Sequence, residues 1–481
     1  MKNLSAEVVM STLIFLAMFV FFSQVHPIVL FDGDDWNVIS DARVGLPKWH
    51  GWNPIKILPE TFFPICGYFA AYVVRPIIGD YLTAFTLTAA LIVSIFITAY
   101  VCLFVKFIKA IFNFDKFTAS IFGMMFLLLH FAIFLKHNTQ DNLYLFHTTD
   151  ADCYFNYVLP NLLNATLVLF VARVDLTRKF FDRMTPFAIT LFFVLYLAIF
   201  SNVLSSCVLA IYVFVELMSR VKPKEFNLRK FFAANRTLCI FLIFWLISLL
   251  FEANGGRAQS MAHEESYILL VLYTAAALIQ SLLLDNRGLA LIIFAIVTLP
   301  FMWRANKDLW RVTKKFLLCL PLWTVYIILV TARAEATYAL RPDVQFGFFF
   351  IVFVIFLTAL GFWIKKFPRA ALVLPILCFA LFTWIFSGKR TFCPSTFNHV
   401  PESVCIQVSQ HIMNQIIAAD RAGFKEVTIT VPKGDDVDNY PHPLYMGNNI
   451  SRTLHAHGMI SRRLEVKVQP DATLNERFNL P

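Results

Sequence analysis

Residues 81–105 carry no charged side chain, and stretches like this one recur along most of the chain. A helix rises about 1.5 Å per residue, so about 20 apolar residues cross the hydrocarbon of a bilayer. With 58% hydrophobic residues and 53 phenylalanines among 481 residues, the apolar surface exceeds what a soluble globule can bury. The chain therefore reads as a polytopic membrane protein. Its formal charge of +10 does not point to nucleic acid, because Lys and Arg collect in short loops between apolar segments, at 173–183, 220–236, 304–315 and 365–369. Membrane insertion reads that pattern as positive-inside.

The first apolar stretch, 8–31, is too long for a signal-peptide core and lacks a small-residue cleavage site, so it is expected to stay as a helix. Residues 61–79 are interrupted by Pro64, Arg75 and Pro76 and read as re-entrant or interfacial. Spans follow at 81–105, 117–135, 154–172, twice within 186–218 with a break near Ser201-Asn202, and at 237–251. Both 266–284 and 288–303 have spanning character, yet the basic loop 304–315 belongs on the cytoplasmic side. One of the two is therefore expected to be re-entrant, and the sequence does not say which. Segments 316–331, 345–364 and 370–387 bring the total to about eleven to thirteen.

Composition turns polar at Gly388. Val404, Val408, Ile412 and Ile416 give helical spacing over 402–422, stopped by Gly423, and 425–431 and 464–468 alternate as short strands. The expected fold is an all-α polytopic membrane bundle, residues 1–387, followed by a small extracytoplasmic α/β domain, 388–481. Five of the nine cysteines lie in apolar segments. Cys393 and Cys405 flank a polar loop on the oxidising side and are expected to pair, with two free thiols as the alternative. No CxxC or HExxH spacing supports a zinc site.

Polar residues gather in the loops of one face. Asp32, Asp34 and Asp35 follow the first segment directly, with Asp41 behind them. Acids packed at a membrane exit repel one another, which suits binding a cation, holding a proton or activating a hydroxyl; a solvated acidic loop is the plain alternative. His147, Asp150 and Asp152 lie in the second loop, Glu252, Asn254 and Arg257 in a third, and Arg333, Glu335, Arg341 and Asp343 in a fourth. Acids and arginines on one face suit a substrate bearing both a hydroxyl and a phosphate, since arginine holds phosphate in a forked, permanently charged geometry.

A long first helix ending in an Asp-Asp pair resembles the GT-C superfamily of integral-membrane glycosyltransferases, in particular O-antigen glucosyltransferase-like proteins. Tyr154-Phe-Asn-Tyr157-Val-Leu-Pro160 is similar to the aromatic-to-proline helix entry of bacterial members. FEANGGRA resembles their Pro-Gly-Asn-x-x-Arg loop, although Glu252-Ala253 stand where Pro-Gly is usual. Arg341-Pro342 followed by Phe346-Gly347 resembles their late arginine loop, and Ser201-Asn202 lacks the acid that often follows there. The resemblance covers roughly the first 365 residues.

By this resemblance Asp34 or Asp35 is the general base that deprotonates an acceptor hydroxyl. Arg257 and Arg341 compensate the leaving phosphate, and Asp150 and Asp152 orient the sugar or a metal. Asp32, His147, Tyr154 and Asn254 complete the expected substrate site. The donor is a polyprenyl-phosphate-linked sugar and the acceptor a hydroxyl of an envelope glycan (O-antigen-like) or lipid. Membrane lipids are the surroundings, and nucleic acid is not a partner. Direct attack gives inversion, whereas retention needs a second nucleophile. A divalent cation (Mg or Mn) is optional in such enzymes, and none is expected to be tightly bound. The implied location is the bacterial inner membrane, with the C-terminal domain periplasmic. A multi-pass transporter or flippase of lipid-linked or anionic substrates is the competing reading. It calls for ionisable groups in mid-span and paired broken helices in related halves, but the spans are largely uncharged and no internal duplication is visible. A membrane scaffold whose tail binds a partner is a third.

Overall fold

The computed structural model describes residues 6–41, 54–135, 142–174, 185–221, 227–254, 266–284, 286–333, 336–387, 391–396, 399–434 and 446–480. Fifteen helices come first: α1 (Ala6–Val25), α2 (Gly33–Val38), α3 (Pro59–Ile78), α4 (Tyr81–Phe112), α5 (Lys116–Ala132), α6 (Ala151–Arg173), α7 (Pro186–Ile199), α8 (Val203–Arg220), α9 (Leu228–Ala234), α10 (Arg236–Ala253), α11 (Tyr267–Leu284), α12 (Asn286–Ala305), α13 (Lys307–Thr331), α14 (Pro342–Lys366) and α15 (Pro368–Phe386). The C-terminal region adds α16 (Glu402–Arg421), β1 (Glu426–Pro432), α17 (Met446–Ala456), β2 (Glu465–Asp471) and α18 (Thr473–Phe478). Among the described residues, ten helices are long and apolar enough to cross a membrane, and three more are apolar but shorter. This is a multi-pass helical membrane protein.

Local signals set the helix ends. Asp80 caps α4 by accepting from the Thr83 N–H at 2.7 Å, and Asn113, in the left-handed region at φ 54, ends it. Asp115 then caps α5 through the Phe117 and Thr118 N–H groups, so the α4–α5 hairpin closes within three residues. α14 is the most enclosed of the ten long helices and α15 the least. The outer face of α15, with Leu372, Ile376 and Phe379 exposed, suits lipid rather than water.

The bundle has an acidic and a basic end. At the basic end Lys109 meets Glu7 at 2.8 Å, while Glu216 of α8 takes Lys315 at 2.5 Å and Arg220 at 2.9 Å. Two apolar helices have both termini at the acidic end. α3 is tied along its length there: Tyr68 Oη donates to the Ser40 carbonyl, Tyr72 Oη to Ala456, and Arg75 to Gly458. Gly67 lets it approach closely, since a Cβ there would stand 2.6 Å from Ile39 and 2.9 Å from His457. This agrees with an interfacial 61–79. α11 behaves likewise. Tyr267 Oη, in its first turn, donates to Leu329 in the last turn of α13, and Arg287, just beyond its far end, donates to Ala132 in the last turn of α5. So α11 is the segment that lies along the bundle end, and α12 runs through it. Taking α3 from the ten and adding the shorter α5 and α7 leaves eleven helices running end to end among the described residues, alternating in direction.

The C-terminal region holds a parallel two-stranded sheet, β1 beside β2, with Ile429 opposite Val468. Gly423 at φ 82 stops α16, as its place in the sequence implies. The expected boundary at Gly388 lies outside the described residues. A single hydrophobic core runs from the bundle through α16 and α17. Ser409 donates to the Leu30 carbonyl at 2.8 Å, and Tyr81 and His457 meet at 2.9 Å. The expected Cys393–Cys405 disulfide is not formed. Cys393 Sγ lies 2.9 Å from His399 Nδ1, whereas Cys405 is buried on the core side of α16 and its thiol donates to the Val400 carbonyl.

Candidate functional site

α2 begins with Asp32 as its N-cap. The Asp32 carboxyl accepts from the Asp34 N–H at 3.0 Å, and the Asp35 carboxyl reaches back to the Asp32 N–H at 3.1 Å, forming a capping box. Asp35 does more than cap. Its Oδ2 also accepts from Phe31 N–H at 3.1 Å, and its Oδ1 from Asp152 N–H at 2.7 Å. With 1% exposure and three backbone donors, this carboxyl is committed to holding two chain segments together. Asp34 differs. Its side chain is exposed at the surface of the same turn.

The second loop supplies Asp150, which caps the start of α6 by accepting from Cys153 N–H at 2.5 Å, and whose other oxygen takes the Thr149 hydroxyl at 3.2 Å. Asp152 Oδ2 accepts from Asn156 Nδ2 at 2.5 Å, while its buried Oδ1 has no hydrogen-bond partner among the described residues. Burial, reinforced by the Asp150 charge, pushes the Asp32 carboxyl up to about 8 and raises Asp35 well above the carboxylate range. Burial also raises Asp150, Asp34 adding to the shift and Arg341 opposing it. The acids of both loops and Arg341 thus act on one another across a single site. Lys56, at φ 62, lies within electrostatic reach of Asp152 and adds a cation that the sequence did not single out.

Arg341 is held in a fork by Asp343: Nε donates to Oδ1 at 3.0 Å and Nη2 to Oδ2 at 2.5 Å. Its guanidinium carbon stands 4.9 Å from the ring centres of both Tyr157 and Tyr338, whose hydroxyls meet. Thr148 also donates to Asp343, at 3.1 Å.

His147 and Tyr154, expected to bind substrate, are held in a hydrogen-bond network beside the acids. The Cys393 carbonyl is met by His26 Nε2 at 2.8 Å and His147 Nε2 at 3.1 Å. Tyr144 Oη bridges His26 Nδ1 and Tyr154 Oη, and Tyr154 continues to Ser395 at 3.1 Å. Burial, with the nearby His26 adding to it, pushes His147 down to about 3, so it stays neutral. This network fastens the segment after α15 over the acidic end.

Beside the acids a cavity of about 420 Å³ lies between α10, α13 and the first turns of α8 and α11. Its walls are mostly apolar, with Glu252 and Arg333 as the charged residues and Asn202 and Tyr338 on the inner side. Asn202 Nδ2 donates to the Asn156 carbonyl at 2.9 Å, and Asn156 in turn holds Asp152. Tyr338 stacks on Arg341. The cavity therefore touches the acidic cluster through two side chains, although none of its lining residues is one of the five aspartates. Asn254 sits at the exposed end of α10, its amide turned back onto the Leu250 carbonyl at 2.7 Å, next to the lining residue Ala253. Arg257 lies outside the described residues.

The structure thus gathers Asp32, Asp34, Asp35, Asp150, Asp152 and Arg341, and assigns His147 and Tyr154 to a neighbouring clasp. Asn156, Tyr338 and Lys56 escaped sequence reasoning. Asn156 sits inside the aromatic motif Tyr154 to Pro160, but nothing in Ala336–Leu340 marks Tyr338. Among the described residues no three His, Cys, Asp or Glu side chains are placed to hold one metal ion. Compared with protein-family models, curated proteins and solved structures, the chain matches none.

Proposed function

We propose that this protein is a membrane glycosyltransferase of the GT-C kind, moving a sugar from a polyprenyl-phosphate-linked donor to the hydroxyl of an envelope glycan or lipid. One observation carries the reading. Acids from two loops meet at one end of the bundle, beside an apolar cavity that has Arg333 in its lining and is bounded by α10, α11 and α13, whose other faces expose Leu246, Leu250, Ile268, Leu272 and Val325. Such a cavity suits a polyprenyl chain entering from lipid, with its phosphate at the headgroup level.

On this reading Asp34 is the general base, because its side chain alone among the five aspartates is exposed. Asp35 positions the turn that presents it. Arg333 takes the phosphate, since Asp343 already occupies the fork of Arg341. The activated hydroxyl attacks the anomeric carbon, the bond from that carbon to the phosphate oxygen breaks, and the phosphate leaves with the electron pair. The acidic end and the C-terminal region then face the periplasm of a bacterial inner membrane.

The test uses the purified protein in vesicles with radiolabelled polyprenyl-phosphate sugars and lipid-extract acceptors. Asp34→Asn is expected to lower transfer by about 10²–10⁴-fold with donor binding kept, and Arg333→Ala to raise the donor KM. Full transfer by Asp34→Asn overturns the assignment. Movement of labelled lipid between leaflets without transfer favours the transporter instead.

A further inference from the structure

A second cavity, of about 500 Å³, opens at the acidic end on the other side of α11. It lies where the residues just after α5, the far end of α11, the first turn of α12 and the first turns of α14 converge. Phe134 and Phe349 are among its apolar walls, and its polar lining consists of Gln280, Ser281, Arg287 and Gln345. No carboxylate lines it among the described residues.

Two features of this lining point to a ligand. Gln345 is 2% exposed, yet its Nε2 has no hydrogen-bond partner among the described residues. A buried amide donor is normally satisfied, so an unpaired one in a cavity wall is a donor awaiting an acceptor. Arg287 is fixed at the rim: its Nη1 donates to the Ala132 carbonyl at 2.8 Å and to Ile133 at 3.4 Å, and its guanidinium lies 5.2 Å from the Trp384 ring centre. These contacts hold a permanent positive charge in the first turn of α12, where helix N–H groups also favour an anion. Gln280 and Ser281 interrupt the apolar run of α11 on the stretch that lines the same space.

We propose that this cavity binds the phosphate-bearing headgroup of an anionic membrane lipid, as a site separate from the one between α10 and α13. Phosphate oxygens accept from Gln345 and face Arg287, while the acyl chains leave along Phe134 and Phe349. The proposal does not depend on sugar transfer.

The test takes the delipidated full chain in detergent and measures binding of phosphatidylglycerol, phosphatidylcholine and inorganic phosphate by native mass spectrometry and thermal shift. The wild type is expected to retain phosphatidylglycerol over phosphatidylcholine, and inorganic phosphate alone to give no shift. Arg287→Gln and Gln345→Leu should each weaken phosphatidylglycerol about tenfold, and Lys467→Ala, on the exposed C-terminal sheet, should leave it unchanged. Gln345→Leu should also raise the lipid-free melting temperature, because it removes the unpaired donor; a merely structural glutamine would lower it. Equal retention of phosphatidylcholine, a full shift with inorganic phosphate, or unchanged lipid affinity in both variants overturns the proposal.

Discussion

Asp35 Oδ1 receives the backbone N–H of Asp152 at 2.7 Å, joining the turn behind the first helix to the start of α6 across 117 residues. The two acidic loops are thereby one structure. Of the adjacent acids Asp34 and Asp35, one is mortar and the other is available for chemistry.

Asp35→Asn should therefore act first on stability. An amide in place of the carboxyl turns an NH2 group toward N–H donors that now have an acceptor, leaving at least one unsatisfied. The expected cost is about 1–3 kcal/mol, read as a lower thermal midpoint in detergent. Asp34→Asn, at an exposed position, should stay within about 0.5 kcal/mol of wild type in the same assay. Equal midpoints for Asp35→Asn and wild type would contradict the three-donor geometry.

The stability that Asp32 contributes should fall as pH rises from about 4 to about 8. Burial, and then the Asp150 charge, lifts the Asp32 carboxyl from 3.8 to about 8, so over this window the folded protein holds a proton that the unfolded chain has released. Asp35 and Asp150 shift in the same direction. Asp115, held low by the Thr118 hydroxyl, and Asp420, held low by the Ser461 N–H, work the other way on the acidic side of the usual carboxylate range, and His147 and His457, which burial pushes down to about 3 and about 4, work the other way up to the ordinary histidine range. Thermal midpoints at pH 7 and pH 8, both above the ordinary histidine range, should differ in favour of pH 7. Asp32→Asn, which keeps a capping oxygen and loses the titration, should narrow the gap.

Arg341→Ala should be severe for a reason unrelated to substrate. The Asp343 side chain is 1% exposed, and losing its fork partner leaves a buried charge with, among the described residues, only Thr148 donating to it. Such a loss costs about 3–5 kcal/mol. Arg341→Ala combined with Asp343→Ala should recover part of it, and a double-mutant cycle measured by denaturation checks the coupling.

Cysteines placed at Ser266 and Ser281 should react with a membrane-impermeant maleimide from the same side of sealed vesicles, because α11 lies along the bundle end. A crossing helix gives labelling from opposite sides.

The sequence was informative where physics is local. Gly423, the spacing of Val404 to Ile416 and the alternation after Lys425 placed α16 and β1 to within a residue or two. Pro64, Arg75 and Pro76 marked α3 as unlike a span. For α11 the hydropathy of a lying helix and a crossing one is the same, and only its hydrogen bonds to Leu329 and those of Arg287 to Ala132 separate them. Asp34 and Asp35 stood as alternatives in the sequence, and only the capping box and the Asp152 N–H bond of Asp35 separate them. The Cys393–Cys405 pairing failed because α16 turns Cys405 into the core while the segment after α15 carries Cys393 to His399. Glu402, near His26 at 3.5 Å, belongs to the same clasp and was invisible at such a distance along the chain.

That clasp has a consequence for how the protein is made. The Cys393 carbonyl serves His26 and His147, which lie 367 and 246 residues earlier. A ribosome delivers both imidazoles into the membrane long before their acceptor emerges. During most of synthesis the acidic end is therefore an open seam, and it closes only after α15 has been inserted. A nascent chain halted just short of Thr391 would own every helix of the bundle and still lack the stitch that shuts it.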